Sequence, residues 1–251
     1  MSEAFQIFSV RQIEALRDGG KILQGCLKHT ASLVRPGITT LELDKAAETF
    51  IRDHGGRPAF KGYHGFPGTL CISVNDEVVH GIPGDRVLRE SDVVSLDGGV
   101  IYDKLYTDAC TTVVAGRPEA GVQEFLDTVS FTLEDVIRDV VKSGVHIGTI
   151  SSFIQTHIEK AGYCIIKQLT GHGLGSTLHQ FPDVPNWGEE ESGPILPVNT
   201  MIAIEPIASM GRRSDISTDS DGWTIRTKDG TTACHFEHSV LITDGGCEII
   251  A

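Results

Sequence analysis

Basic residues are scarce in this chain: 21 Lys and Arg stand against 34 Asp and Glu, a formal net charge of −13. No Lys/Arg-rich run offsets that balance, which argues against a nucleic-acid surface. No apolar stretch approaches transmembrane length, so no membrane partner is expected. The opening segment Met1-Ser2-Glu3-Ala4-Phe5-Gln6 has neither a basic start nor a long apolar stretch. No secretion signal is expected there, and the chain reads as cytoplasmic. Paired cysteines are missing as well. Cys26, Cys71, Cys110, Cys164, Cys234 and Cys247 are widely spaced, without CxxC or zinc-ribbon spacing, and read as reduced thiols. The string Gly171-His172-Gly173-Leu174-Gly175 has no lysine after it, which makes a phosphate loop a poor reading. What is present is a 251-residue chain, 40% hydrophobic and 22% charged. That is an ordinary globular composition, long enough for one large domain or two fused halves.

Four carboxylates and one histidine have local settings that fit a two-metal hydrolytic centre: Asp97, Asp108, His172, Glu205 and Glu237. Asp97 and Asp108 close two apolar-rich runs, Val93–Asp97 and Leu105–Asp108, separated by a short turn around Tyr102-Asp103. With the turn centred there, the two aspartates face each other across a hairpin, Cβ atoms about 4.5–5.5 Å apart. Carboxylates that close repel unless a cation lies between them, and a pair of divalent ions is the usual answer. His172 is flanked by glycines that let the backbone turn sharply. Glu205 ends the run Met201–Glu205 before Pro206, which marks a strand end. Glu237 lies in a β-patterned stretch, 235–242, in which residues 235, 237 and 239 share a face. Each signal alone has a bland reading, a turn or a solvated edge. Their convergence carries the argument.

Ser9 followed by Gln12 is a capping-box signature, opening a helix that runs from Val10 to Val34 and stops at Pro36-Gly37. A second helix fits Leu41 to His54. Val122 to Val141 and Ile150 to Lys160 read as a second long and short pair. A shift of 107 residues brings Val34, Gly37, Thr49, Ile51 and Gly55 onto Val141, Gly144, Thr156, Ile158 and Gly162 without a gap. Two unrelated helical hairpins would look similar. The expectation is an α+β fold of two pseudo-twofold-related halves, about 9–115 and 116–251, forming one domain over 1–251. Helices would pack outside a curved antiparallel sheet, with strands from both halves converging on a cleft.

Eight further strings accompany the five ligand candidates in order. They are Gly62–Pro67 (GYHGFP), Cys71–Asn75 (CISVN), His80–Pro83 (HGIP), the glycine-flanked His172, Ile204-Glu205-Pro206, Asp221–Thr224 (DGWT), Thr227-Lys228-Asp229 and Phe236-Glu237-His238. With these, the chain resembles the type I methionine aminopeptidases of the pita-bread metalloprotease family from about residue 9 onward. No Cys/His-rich extension precedes the match and no long insertion follows His179, so it is similar to the short bacterial-style form.

The resemblance implies removal of the initiator methionine from nascent polypeptides with a small second residue, at the ribosome or after release, by a monomer. It implies two divalent ions drawn from Co, Mn, Fe or Zn. Asp97 would hold one and His172 with Glu205 the other, while Asp108 and Glu237 bridge. A water or hydroxide between the ions would be the nucleophile, and Glu205 would relay its proton. His179 would stabilise the gem-diolate, and His80 would contact the amide beyond the scissile bond. Tyr63, Phe66, Cys71 and Trp223 would form the methionine pocket, with His80 and His179 also touching substrate. The chain departs from the common pattern at Phe60, Thr107, Leu178, Gln180, His235 and the Gly98-Gly99 pair. Two other readings share the fold: an Xaa-Pro peptidase, and a binding module that has lost catalysis.

Overall fold

The structure, a computed structural model, describes residues 4–251; Met1 to Glu3, part of the segment searched above for a secretion signal, lie outside the described residues. Helix α1 spans Val10–Leu33 and begins with the expected capping box: Gln12 N–H donates to Ser9 Oγ at 3.4 Å, and Ser9 N–H donates to Gln12 Oε1 at 3.0 Å. Helix α2, Thr40–Asp53, has a second such box that the sequence reading passed over. Glu42 N–H donates to Thr39 Oγ1 at 3.1 Å, and Thr39 N–H to Glu42 Oε2 at 2.8 Å. Ser-x-x-Gln and Thr-x-x-Glu satisfy the same exposed donors at a helix start. Helices α3, Val122–Asp139, and α4, Ile147–Lys160, form the second pair.

Among the described residues, four antiparallel sheets lie inside the helices. The first is built around strands Val93–Tyr102 and Leu105–Val114, with Leu70–Val74 and Arg57–Pro58 beyond them. Leu23, Leu27 and Leu43 of α1 and α2 bury against Val94, Leu96 and Val100 of this sheet. A five-stranded sheet runs Gly246–Ile249, His238–Thr243, Met201–Ile204, Thr170–Gly173, Gln180–Pro185. Phe125, Leu133, Ile154 and Ile158 of α3 and α4 cover Ile202, Val240 and Ile242 there. Each fully buried aliphatic side chain of this kind contributes about 1.5–3 kcal/mol. Two three-stranded sheets complete the set, one pairing Ala233–His235 with Ile207–Ser209 and the other pairing Ile225–Thr227 with Glu77–Val79. Among the described residues no helix is long and apolar enough to cross a membrane.

The glycines aligned by the 107-residue shift share one backbone state. Gly37 (φ 92°) and Gly144 (φ 84°) end the loops before the short helices, and Gly55 (φ 83°) and Gly162 (φ 91°) end those helices. Left-handed geometry at these positions favours glycine, a physical reason for the identities.

The halves meet along one extended segment. Ser239 Oγ donates to Asp108 O at 2.7 Å and accepts from Asp108 N–H at 2.9 Å. Glu237 and Cys110 exchange backbone hydrogen bonds at 3.0 and 3.3 Å. Thr112 Oγ1 donates to His235 O at 2.6 Å and accepts from His235 N–H at 3.2 Å. Residues 235, 237 and 239 therefore face 112, 110 and 108 in constant antiparallel register.

Candidate metal centre

The Val93–Tyr102 and Leu105–Val114 strands form the expected hairpin, with a different register. Tyr102 pairs with Leu105, so the turn is Asp103-Lys104, both left-handed at φ 43° and 67°. Two consecutive left-handed residues are what a tight two-residue hairpin turn demands. Asp97 consequently lies opposite Cys110 and Asp108 opposite Gly99. The aspartates are diagonal neighbours on one face, about 7–8 Å apart in backbone, rather than directly opposed.

The other ligand candidates sit where strands bend or change sheets. The register breaks between His172 and Gly173, and a Cβ at either neighbouring glycine would strike backbone, Ala203 O at 171 and Phe181 O at 173. His172 Nδ1 lies 3.0 Å from Gly173 O, which places its proton there and frees Nε2. Glu205 and Pro206 form the corner between Met201–Ile204 and Ile207–Ser209, strands of two different sheets. Phe236 and Glu237 form the facing corner, with Phe236 N–H donating to Pro206 O at 3.3 Å. The strand expected over 235–242 is thus divided between two sheets, His235 ending one strand and His238 opening the next. Two corners stacked this way aim Glu205 and Glu237 at the hairpin.

All five side chains are buried, from 2% exposure at Glu237 to 9% at Glu205. Ligand atoms of Asp108, His172 and Glu237 lie within 4.8 Å of one another. His172 Nε2 is 3.6 Å from Glu205 Oε1 and 3.9 Å from Asp108 Oδ2. Burial pushes Asp97 up to about 7. Burial, and then the neighbouring carboxylates, push Asp108 and Glu237 well above the usual carboxylate range. Asp97 Oδ1, Asp108 Oδ1 and Glu237 Oε1 have no hydrogen-bond partner among the described residues. Buried acceptors left unpaired, four carboxylates and one free imidazole nitrogen are a donor set that fits divalent cations.

One cavity of about 300 Å³ collects every expected site residue: the five above together with Tyr63, Phe66, Cys71, His80, His179 and Trp223. Cys71 is paired with Asp97 across the sheet, and burial pushes its thiol well up, so it is a neutral apolar wall. Phe66 and Trp223 meet edge to face at 5.2 Å. Asp221 holds the Trp223 loop, its Oδ1 accepting from the N–H groups of Trp223 and Thr224, both at 2.8 Å. Tyr63 Oη lies 3.1 Å from His179 Nδ1, and the His179 ring stands 4.3 Å from that of His172. Burial, and then His172, push His179 down to about 4, and burial lowers His80. His64, a left-handed residue at φ 48°, meets Tyr63 edge to face and does not join the lining.

Two departures from the common pattern, Phe60 and Gly99, lie side by side. A Cβ at Gly99 would lie 2.8 Å from Ala59 Cβ and 3.0 Å from Phe60 Cε1. Ala59 Cβ, the Phe60 ring and the Thr107 carbonyl, 3.1 Å away, together leave room only for glycine at 99. Leu178 packs in the same apolar cluster as Phe60. Val79, Gln168, Leu169, Thr170 and Ile207, none of them an expected site residue, also line the cavity. Thr170 lies two residues before His172 on one strand, so alternation was an available signal for it, whereas Ile207 lies past the Glu205-Pro206 corner.

Residues 14–244 match metallopeptidase family M24. A methionine aminopeptidase of Mycoplasma capricolum is 39% identical over 239 residues, which are 95% of each chain. The chain belongs to the methionine aminopeptidase family of M24 metallopeptidases. A methionine aminopeptidase crystal structure from Thermotoga maritima superposes with a TM-score of 0.96 at 35% identity, covering 98% of this chain and 99% of that one. A prolidase from Pyrococcus furiosus shares the pita-bread fold, with a TM-score of 0.79 at 21% identity over 64% of its own length. Membership of a metallopeptidase family agrees with a centre built to take divalent metal.

Proposed function

We propose that this chain removes the N-terminal initiator methionine from nascent polypeptides with a small second residue, using two divalent ions. One observation carries the reading: a single cavity in which five ligand-type side chains meet an apolar recess of Tyr63, Phe66, Cys71 and Trp223. In this reading Asp97 would hold one ion, His172 and Glu205 would hold the other, and Asp108 and Glu237 would serve both. Co, Mn, Fe and Zn all suit such ligands. Divalent ions there supply Lewis-acid polarisation of a carbonyl and a lowered pKa for water.

The remaining chemistry belongs to the side chains. The recess takes the thioether side chain, with Cys71 as a soft, uncharged contact. Glu205 accepts at its carboxylate the proton that the attacking water gives up and relays it to the leaving amine. His179, pushed down to about 4, is a neutral imidazole at pH 7. With Tyr63 Oη donating to Nδ1, its proton sits on Nε2, where it donates to the oxyanion as the peptide carbonyl is attacked. His80 contacts the next amide. The paired helices with left-handed glycines at matching stops support one domain of two related halves, about 9–115 and 116–251. We place the enzyme in the cytoplasm as a monomer acting on chains at or released from the ribosome.

Metal-free protein loaded with Mn, Co, Fe or Zn and assayed on Met-Ala-Ser and on Xaa-Pro peptides tests the proposal. Cleavage of the first, dependent on metal, is the expected result. Preference for Xaa-Pro peptides would favour the Xaa-Pro reading, and no turnover with any metal would favour a binding module.

A further inference from the structure

His235 lies inside the metal centre yet has no role in the reading above. It is 2% exposed, and neither ring nitrogen has a hydrogen-bond partner among the described residues. Its Nε2 stands 3.4 Å from Glu205 Oε2 and 3.6 Å from Glu237 Oε2. An imidazole buried without a partner is costly, so its position needs a cause. The backbone is held independently, since Thr112 Oγ1 grips both the N–H and the carbonyl of residue 235. That grip fixes where the ring starts. What the ring reaches is the pair of corner carboxylates.

Glu205 is flanked by two imidazoles that do different things. Its Oε1 faces His172 Nε2 at 3.6 Å, on the side where the ligand atoms of Asp108, His172 and Glu237 gather. Its Oε2 faces His235. Carboxylates that bind metals are commonly oriented by a donor on the oxygen turned away from the ion. We propose that His235 is a positioning residue whose Nε2–H orients Glu205, and with it Glu237, for metal binding. The assignment rests on the metal-centre reading. A slight shift of either carboxylate converts the 3.4 Å approach into a hydrogen bond. A side-chain amide reaching the same place could also serve as donor, whereas an aliphatic side chain of similar bulk could not.

The test is calorimetric titration of Mn(II) into metal-free wild type, His235→Leu and His235→Gln, with the melting temperature of each metal-free protein as a check on folding. Loss of such an orienting partner typically weakens metal binding about 10–100-fold. His235→Leu should show that loss for at least one site, and His235→Gln should stay close to wild type. Wild-type affinity in His235→Leu overturns the proposal. So does a His235→Gln as weak as His235→Leu, which would make the ring nitrogen itself a ligand. If His235→Leu does not fold, His235→Ala replaces it as the donor-free variant, a loss of metal affinity relative to wild type and His235→Gln supporting the role and wild-type affinity overturning it. A wild-type protein that takes up no metal brings down the metal-centre reading and this role together, a result distinct from unequal variants of a metal-binding protein.

Discussion

The two walls of the metal centre are built in opposite ways. Asp97 and Asp108 stand on one regular hairpin of two ten-residue strands, pinned by continuous pairing from Val93–Val114 to Tyr102–Leu105. Glu205, Glu237 and His172 stand on short strands at two sheet corners and a bulge. The hairpin wall is local and is held by its own ladder. The corner wall depends on Ser239, Glu237 and Thr112 joining one half to the other. A regular ladder is hard to shift by one side chain, while a corner is only as exact as the contacts behind it.

The largest expected effect comes from the hairpin wall. Asp108→Asn removes a carboxylate from the cluster that Asp108 shares with His172 and Glu237. It should lower metal content and cut turnover by more than the roughly 10–100-fold typical of outer partners, while the hairpin stays folded. Metal analysis beside steady-state assays checks this. Near-normal turnover with full metal would remove Asp108 from the ligand set.

His179 comes next, as a residue that neither wall holds as a ligand. His179→Ala should cost about 10²–10³ in kcat with KM little changed. A rise in KM alone would assign it to ground-state binding.

Metal removal probes both walls at once. At free metal a hundred times Kd, binding stabilises the folded state by about 2.7 kcal/mol, so chelation should lower the melting temperature and Mn or Co should restore it. The pH dependence has a definite sign. In metal-free protein, burial raises Asp97 to about 7 and raises Asp108 and Glu237 above the unfolded range near 4. The folded state then keeps protons that the unfolded chain has lost. That stability is complete below the unfolded pKa values and is lost as pH rises through the folded ones. Metal binding needs the deprotonated carboxylates, so its protection should grow over the same window. Melting curves from about pH 4 to pH 8, with chelator and with Mn, should therefore diverge as pH rises. Parallel curves would argue against a carboxylate metal centre.

The smallest effect is expected in the recess, where Phe60 packs beside Gly99 and Leu178 lines the same cluster. Bulk is exchanged within one wall, so Met should remain preferred over Leu, norleucine and Ala in an Xaa-Ala-Ser peptide series. A preference for Ala would mean that the recess does not hold the methionine side chain.

Much of this protein is legible in its sequence because the signals are local. Ser9 and Gln12 announce a helix start through contacts three residues apart. Pro206 ends a strand because it has no N–H to give, and the recurring glycines mark turns that need left-handed backbone. Of the five ligand candidates, Asp97, His172 and Glu205 occur beside such punctuation, while Asp108 and Glu237 stand in β-patterned runs. Chemistry, too, follows from residue type, since carboxylates gathered in one place demand a cation. Tertiary structure alone decides the rest. The true turn at Asp103-Lys104 moves the partner of Asp97 by two residues, from 108 to 110, and makes the aspartates diagonal. Phe236-Glu237 becomes a corner rather than mid-strand, because Met201–Ile204 and Ile207–Ser209 recruit its two flanks into different sheets. His235 reads as a simple departure from pattern until those corners bring Glu205 and Glu237 to its ring. Register and corner geometry are set by partners distant in the chain, and no local pattern encodes where such partners meet.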